Sequence, residues 1–215
     1  MTKQTITGEG IWLVHKPVGI SSFGAVARVR RLIGIRKVGH AGTLDPQAEG
    51  LMIILVGKAY TRQADSFLKL DKVYEVQATL GQTSTTGDRE GELTTVSDTY
   101  PSLAEVKEAL GKFEGDIMQT PPIYSAIKVG GQRAYKLARA GKEVKLEPRK
   151  VTIHGIELID YTYPKLTFWA HVSSGTYIRS LVEDIGSSLG TGAYMSKLIR
   201  TNIGEFSLEH ATLLD

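Results

Sequence analysis

The sequence predicts an α+β fold, a mixed and mostly antiparallel central sheet flanked by helices. Long strand-like segments recur along the 215 residues, helical stripes fall between them at irregular intervals rather than in a strict βαβ rhythm, and no internal repeat or low-complexity linker marks off a second domain. A chain of this length buries roughly 70% of its unfolded surface, so a core can form without staples. One domain over 1–215 is therefore expected.

Taken in order, Ile11 to His15 reads as a short apolar strand, stopped by the turn residues of Lys16-Pro17-Val18-Gly19. Ser21 or Ser22 offers an N-cap for a helix to about Gly34, with Val26, Val29 and Ile33 as its apolar stripe and Arg28 and Arg31 pointing away. Ile35 to Gly50 shows no periodicity, only Gly39, Gly42, Pro46 and Gly50, and loops of that length inside compact domains tend to be functional. Leu51 to Val56 is a continuous apolar run, a strand buried on both faces. Lys72 to Leu80 alternates, placing Tyr74, Val76, Ala78 and Leu80 on one face. A polar connection from Thr83 to Glu92 leads to a short strand, and Ser102 to Lys112 reads as a helix. Ile123 to Val129 is extended before Gly130-Gly131, and Gln132 to Ala140 is a basic helix closed by Gly141. Strands at Val151 to Ile159 and Lys165 to Ser173, a helix from Tyr177 to Leu189 and a last strand near Lys197 to Gly204 complete the order.

Composition excludes several classes. There is no Cys, hence no disulfide framework or thiolate metal site, and a reducing cytoplasm is the expected location. The first residues lack a signal-peptide core, and no run approaches the ~20 apolar residues of a membrane span. The histidines show no metal-ligand spacing, and no Walker loop or Gly-x-Gly-x-x-Gly is present, so neither metal nor nucleotide cofactor is expected. Net charge is only +3, but it is segregated: residues 15–44 and 128–150 each carry +6, leaving −9 elsewhere. Such a distribution suits a polyanion-binding face, although solvated basic helices would look the same.

Three residues stand out chemically. Asp45 lies among flexible glycines and precedes Pro46, which pushes it toward an extended conformation; read alone, Asp-Pro is far more often a helix cap followed by Pro at the first helical position. Arg179 falls in the first turn of its helix, where the dipole disfavours a cation, so it either holds an anion or reaches solvent. Tyr74 is either a core tyrosine or a platform for a base.

Gly39-His40-Ala41-Gly42-Thr43-Leu44-Asp45-Pro46 with Ala48-x-Gly50 closely resembles the catalytic motif of TruB-type tRNA pseudouridine synthases. Lys16-Pro17-x-Gly19-x-Ser21-Ser22, Lys72-x-Tyr74, Pro121-Pro122-x-Tyr124-Ser125-Ala126-x-Lys128, Gly175-Thr176-Tyr177-Ile178-Arg179 and Leu198-x-Arg200-Thr201 are similar to the family's other blocks, in the family's order. The resemblance implies isomerisation of uridine 55 in the T loop of tRNA, without cofactor. It makes Asp45 the nucleophile, Arg179 the cation that keeps it ionised and Tyr74 the residue stacking on the extruded base and assisting C5 proton removal. His40 would fill the space left by the flipped uridine and Leu198 would line the pocket. Lys16, Pro17 and Tyr177 would contact RNA, as would Lys128, Arg133, Lys136 and Arg139 of a clamping segment at about 124–150. Glu49 departs from the family pattern, placing an extra negative charge near Asp45. No C-terminal PUA domain is expected, nor an obligate protein partner, and a monomer is expected. The competing readings are a non-catalytic RNA-binding protein on the same fold and a synthase acting on another RNA.

Overall fold

The computed structural model describes residues 6–214. In chain order its elements are β1 (Gly10–Lys16), α1 (Ser22–Ile33), β2 (Val38–Ala41), β3 (Glu49–Val56), α2 (Lys58–Thr61), α3 (Ala64–Leu68), β4 (Lys72–Leu80), β5 (Gln82–Ser84) and β6 (Leu93–Thr95). There follow α4 (Leu103–Gly111), β7 (Gly115–Gln119), β8 (Lys128–Val129), β9 (Gln132–Arg133), α5 (Ala134–Arg139), β10 (Arg149–Thr162) and β11 (Lys165–Val172). The chain closes with α6 (Ile178–Ser188), β12 (Ala193–Ile203), β13 (Phe206–Ser207), a 3-10 turn (Leu208–His210) and β14 (Thr212–Leu213). The α+β class is as expected, with a mixed sheet. Two compact units emerge, Met1–Glu75 with Lys197–Asp215, and Val76–Ser196; β4 and β12 run through both. None of the helices among the described residues is long and apolar enough to cross a membrane.

In the first unit the strand order is β14-β1-β3-β12. β3 is its centre. It pairs antiparallel with β1 from Gly10↔Val56 to Lys16↔Gly50, antiparallel with β2 from Val38↔Val56 to Ala41↔Ile53, and parallel with β12 at Ile199↔Glu49 and Arg200↔Gly50. A strand with neighbours on both edges and cover on both faces needs apolar side chains throughout, and Leu51 to Val56 are all fully buried. Ala41, Leu51, Ile53, Leu55, Ile203 and Ala211 form one core cluster, closed by Tyr60, Phe67, Leu70 and Phe206 around it. Helix α1 is capped by Ser21, whose Oγ accepts from the Gly24 amide at 3.0 Å, and ends at Gly34 in the left-handed region. Its stripe is Ala25, Val26 and Val29.

In the second unit the order is β12-β4-β11-β10-β7. β10 pairs antiparallel with both β11 and β7, and its register against β11 shifts twice. Helix α4 carries a full capping box between Ser102 and Glu105.

The structure adds elements that the sequence reading did not give, among them α2, α3, β13 and β14, and departs from it elsewhere. The expected loop from Ile35 to Gly50 contains β2; the segment before Gly130 is a strand only at Lys128–Val129; Gln132 and Arg133 close a hairpin on β8 before a shorter helix begins; and β7 fills the gap after α4. β7 is an edge strand with two exposed positions, so its alternation is too weak to be read locally.

Gly50 marks the closest main-chain approach. Its φ is +116°, and a Cβ there would fall 2.6 Å from the main-chain nitrogen of Arg200 and closer still to its carbonyl oxygen. Gly50→Ala should therefore destabilise by about 2 kcal/mol or more, lowering Tm by roughly 4–8 °C in a calorimetric scan.

Candidate active site

Asp45 lies in the first unit, half-buried, on the connection between β2 and β3. No helix follows it, which removes the capping reading. Its carbonyl accepts from the Ala48 amide at 3.1 Å, closing a turn in which Pro46 takes the second position, for which its fixed φ is suited.

The main chain of this turn is gripped residue by residue. Arg200 donates to Gly42 O at 3.2 Å, Thr43 O at 3.4 Å and Leu51 O at 2.8 Å. Ser22 Oγ donates to Leu44 O at 2.9 Å and accepts from Leu44 N at 2.8 Å. Pro46 O accepts from the Gly19 amide at 2.8 Å and from Lys16 Nζ at 3.4 Å. Of two adjacent serines, Ser21 caps α1 while Ser22 turns inward to hold the loop.

Lys16, expected at an RNA face, is fully buried instead; its Nζ also donates to Pro17 O at 2.9 Å and Ile20 O at 2.8 Å. These carbonyls offset the cost of burying a cation, and the side chain is given to the main chain rather than to solvent. Burial lowers its pKa to about 8, against the pull of Asp45 and Glu49 and with the push of Arg200. Glu49 has Lys197 Nζ at 3.8 Å, a cation that matches its charge locally, and His15 Nε2 also at 3.8 Å. His40 is half-buried on β2, and burial first, then Arg200, depress its pKa, with a main-chain bond to Gly42 opposing. Its imidazole is therefore neutral at pH 7. Phe23, 75% exposed, meets the His40 ring edge-on at 5.8 Å. Tyr74 is 8% exposed and Leu198 7%, both in this unit; Pro17 is half-buried.

Arg179 lies in the second unit at the second position of α6 and is 7% exposed, which rules out the solvent-reaching reading. Nη1 donates to Thr86 O at 3.0 Å and Nη2 to Tyr124 O at 2.9 Å, and Nε is 3.8 Å from Asp88 Oδ2. Asp88 is itself buried and accepts from Thr86 Oγ1 and the Glu90 amide. A cleft of about 280 Å³ opens beside it, lined by Thr86, Pro122, Tyr124, Ser180 and Glu183 among others, where burial raises the Glu183 pKa. Tyr177 is half-buried and exchanges two main-chain hydrogen bonds with the Gln119 amide side chain. Lys128, Arg133, Lys136 and Arg139 are all exposed, whereas Lys150 is paired with Asp116 at 2.8 Å.

Residues 30–178 match the TruB family pseudouridylate synthase N-terminal domain, and residues 179–215 match the tRNA pseudouridylate synthase B C-terminal domain. The chain belongs to the TruB family. It is 48% identical over 202 residues to the tRNA pseudouridine synthase B of Protochlamydia amoebophila, covering 94% of this chain and 77% of that one. The corresponding enzyme of Burkholderia pseudomallei is 45% identical over 207 residues, 96% of this chain and 68% of that one. Among solved structures, the fold is similar to that of a chain in a Cbf5-Nop10-Gar1 complex, at TM-score 0.74 and 28% identity, covering 97% of this chain and 53% of that one. It is also similar to a chain in an H/ACA RNP bound to a substrate RNA containing 2'-deoxyuridine, at TM-score 0.72 and 26% identity, over 95% of this chain and 50% of that one. The chain spans about half the length of these two structural relatives. Pseudouridylate synthases of the TruB family are isomerases, which agrees with the enzymatic reading of the motifs.

Sequence reasoning did not find the roles of Ser22, Phe23, Asp88 and Arg200. Ser22 looked like a cap, Phe23 lies off the apolar stripe of α1, and a buried arginine is indistinguishable from a surface one in a motif.

Ser22→Ala would leave Leu44 N–H and C=O without their partner and should cost about 1–3 kcal/mol, read from the urea midpoint. Lys16 gives a pH signature. Its folded pKa of about 8 lies below its ordinary 10.5, so the unfolded chain binds more protons between these values and stability rises through that window. Wild type should gain stability relative to Lys16→Met from pH 8 to pH 10.5 in denaturant titrations.

Proposed function

We propose that this chain converts uridine 55 in the T loop of tRNA to pseudouridine, with Asp45 as nucleophile. The observation that carries the reading is the Asp45 turn: the main chain around it is fixed by Arg200, Ser22 and Lys16 while Asp45 itself stays only partly buried. A carboxylate held this way is preorganised for attack. The reaction breaks the N1–C1′ bond, rotates the uracil, forms C5–C1′, releases the C5 proton and returns a proton to N1, with no net redox change. Tyr74 stacks on the extruded base and assists C5 proton removal, and Arg179 is the third catalytic residue. His40, neutral and backed by Phe23, fills the space the flipped nucleotide leaves, and Leu198 lines the pocket. Pro17 and Tyr177 contact RNA, and the exposed Lys128, Arg133, Lys136 and Arg139 neutralise phosphates. A cytoplasmic monomer with tRNA as its partner fits this reading. The choice of tRNA rests on relatives of 45–48% identity named as tRNA enzymes, against 26–28% for the H/ACA chains.

Asp45→Asn should bind a T-arm transcript normally and lose on the order of 10⁴-fold in turnover, measured by chemical mapping of pseudouridine; substantial product would end the nucleophile assignment. Mapping total RNA from a deletion strain should show loss at position 55. Loss confined to rRNA, or no loss, would overturn the substrate assignment. Arg133, Lys136 and Arg139 changed together to Gln should weaken binding and flatten its salt dependence by up to about three units of slope, as read in filter-binding titrations.

A further inference from the structure

We propose that Arg200 is a positioning residue for the reaction, holding the Asp45 turn in its attacking geometry; this rests on the reading of Asp45 as the nucleophile. Among the described residues Arg200, 1% exposed, is the largest fully buried side chain, and no acidic side chain is among its hydrogen-bond partners there. All its donated bonds go to main-chain carbonyls on both sides of Asp45: Gly42 and Thr43 before it, Leu51 after it. A guanidinium is a rigid planar fork, so carbonyls bound to it are fixed relative to one another as well as to Arg200. β12 cannot drift from the turn either, because Arg200 pairs with Gly50 where no Cβ fits. On the loop side Gly42 has φ +96°, and a Cβ there would sit 3.5 Å from Nη1. Filling this core position requires only an apolar side chain, and burying a cation is costly. What the cation adds is a fixed turn and a positive charge under the loop that carries Asp45. Lys16 responds to Asp45, Glu49 and Arg200 together, which places all three in one electrostatic neighbourhood.

The test measures Arg200→Lys beside Asp45→Asn, with folding checked by circular dichroism and urea unfolding. Saturating single-turnover rates and Kd are read on a T-arm RNA. Arg200→Lys keeps the charge but loses the fork. It is expected to fold, to bind RNA within about twofold of wild type, and to turn over roughly 10²-fold more slowly at saturation. A purely structural role would lower the urea midpoint and leave the saturating rate of folded protein unchanged, and that result overturns the proposal. Weaker RNA binding with a normal saturating rate also overturns it, since Arg200 would then serve binding. If Arg200→Lys does not fold, Gly42→Ala, which strains the turn at φ +96° where Gly42 O meets Arg200, is read by the same criteria. An inactive Asp45→Asn beside a full-speed Arg200→Lys sinks this inference alone; turnover by Asp45→Asn sinks the nucleophile reading and this one with it.

Discussion

A positive charge buried away from water must be surrounded by oxygen, and in the first unit that requirement shapes everything near Asp45. Arg200 and Lys16 are both fully enclosed, and both are satisfied by carbonyls of the peptide chain. A carbonyl has two lone pairs, so it can serve a buried cation even from within a strand, as Leu51 O does in β3, but carbonyls outside the ladders are the freest to turn toward one. Five of the six carbonyls that serve Arg200 and Lys16 lie outside the strands, and three of them, at Gly42, Thr43 and Pro46, anchor the irregular loop around Asp45. A loop is usually the softest part of a fold; here the buried cations make it one of the best-anchored, without filling the position with apolar bulk that would hide the carboxylate.

The second unit uses the same device. Arg179 is buried and gives two of its bonds to the carbonyls of Thr86 and Tyr124, in chain segments far apart in sequence. A side chain placed against the helix dipole at the start of α6 is tolerated because these oxygens and Asp88 replace the water it has lost. In each unit, then, a single arginine ties together loops that the sheet alone would leave independent.

Much of the fold was legible because strand and helix periods are local. β3 announced itself as an unbroken apolar run, β4 as strict alternation, and α4 by Ser102 and Glu105. β2 was hidden because Val-Gly-His-Ala is too short to display a period, and its pairing with β3 is a long-range fact. The candidate site was legible as residue types and motifs: Asp45, Tyr74 and Arg179 stood out by local context, and their roles entered through resemblance to the family. Direction of side chains was not legible. Lys16 reads as a phosphate contact in the sequence and is a core residue in the fold; Arg200 stood in a recognised motif without a role until its three carbonyl partners were seen. Electrostatics of this kind depends on which oxygens surround a charge, and no linear pattern encodes that.

The paired serines ahead of α1 act as a ruler. Ser21 faces the helix it begins and Ser22 faces Leu44, and consecutive residues can divide these tasks only at one phase of the chain. Lengthening or shortening the stretch between Gly19 and Ser22 by a single residue would uncap the helix and release the Asp45 turn at once. Evolution of this segment is thereby confined to exchanges of side chain, and insertions that other surface turns absorb freely are closed to it.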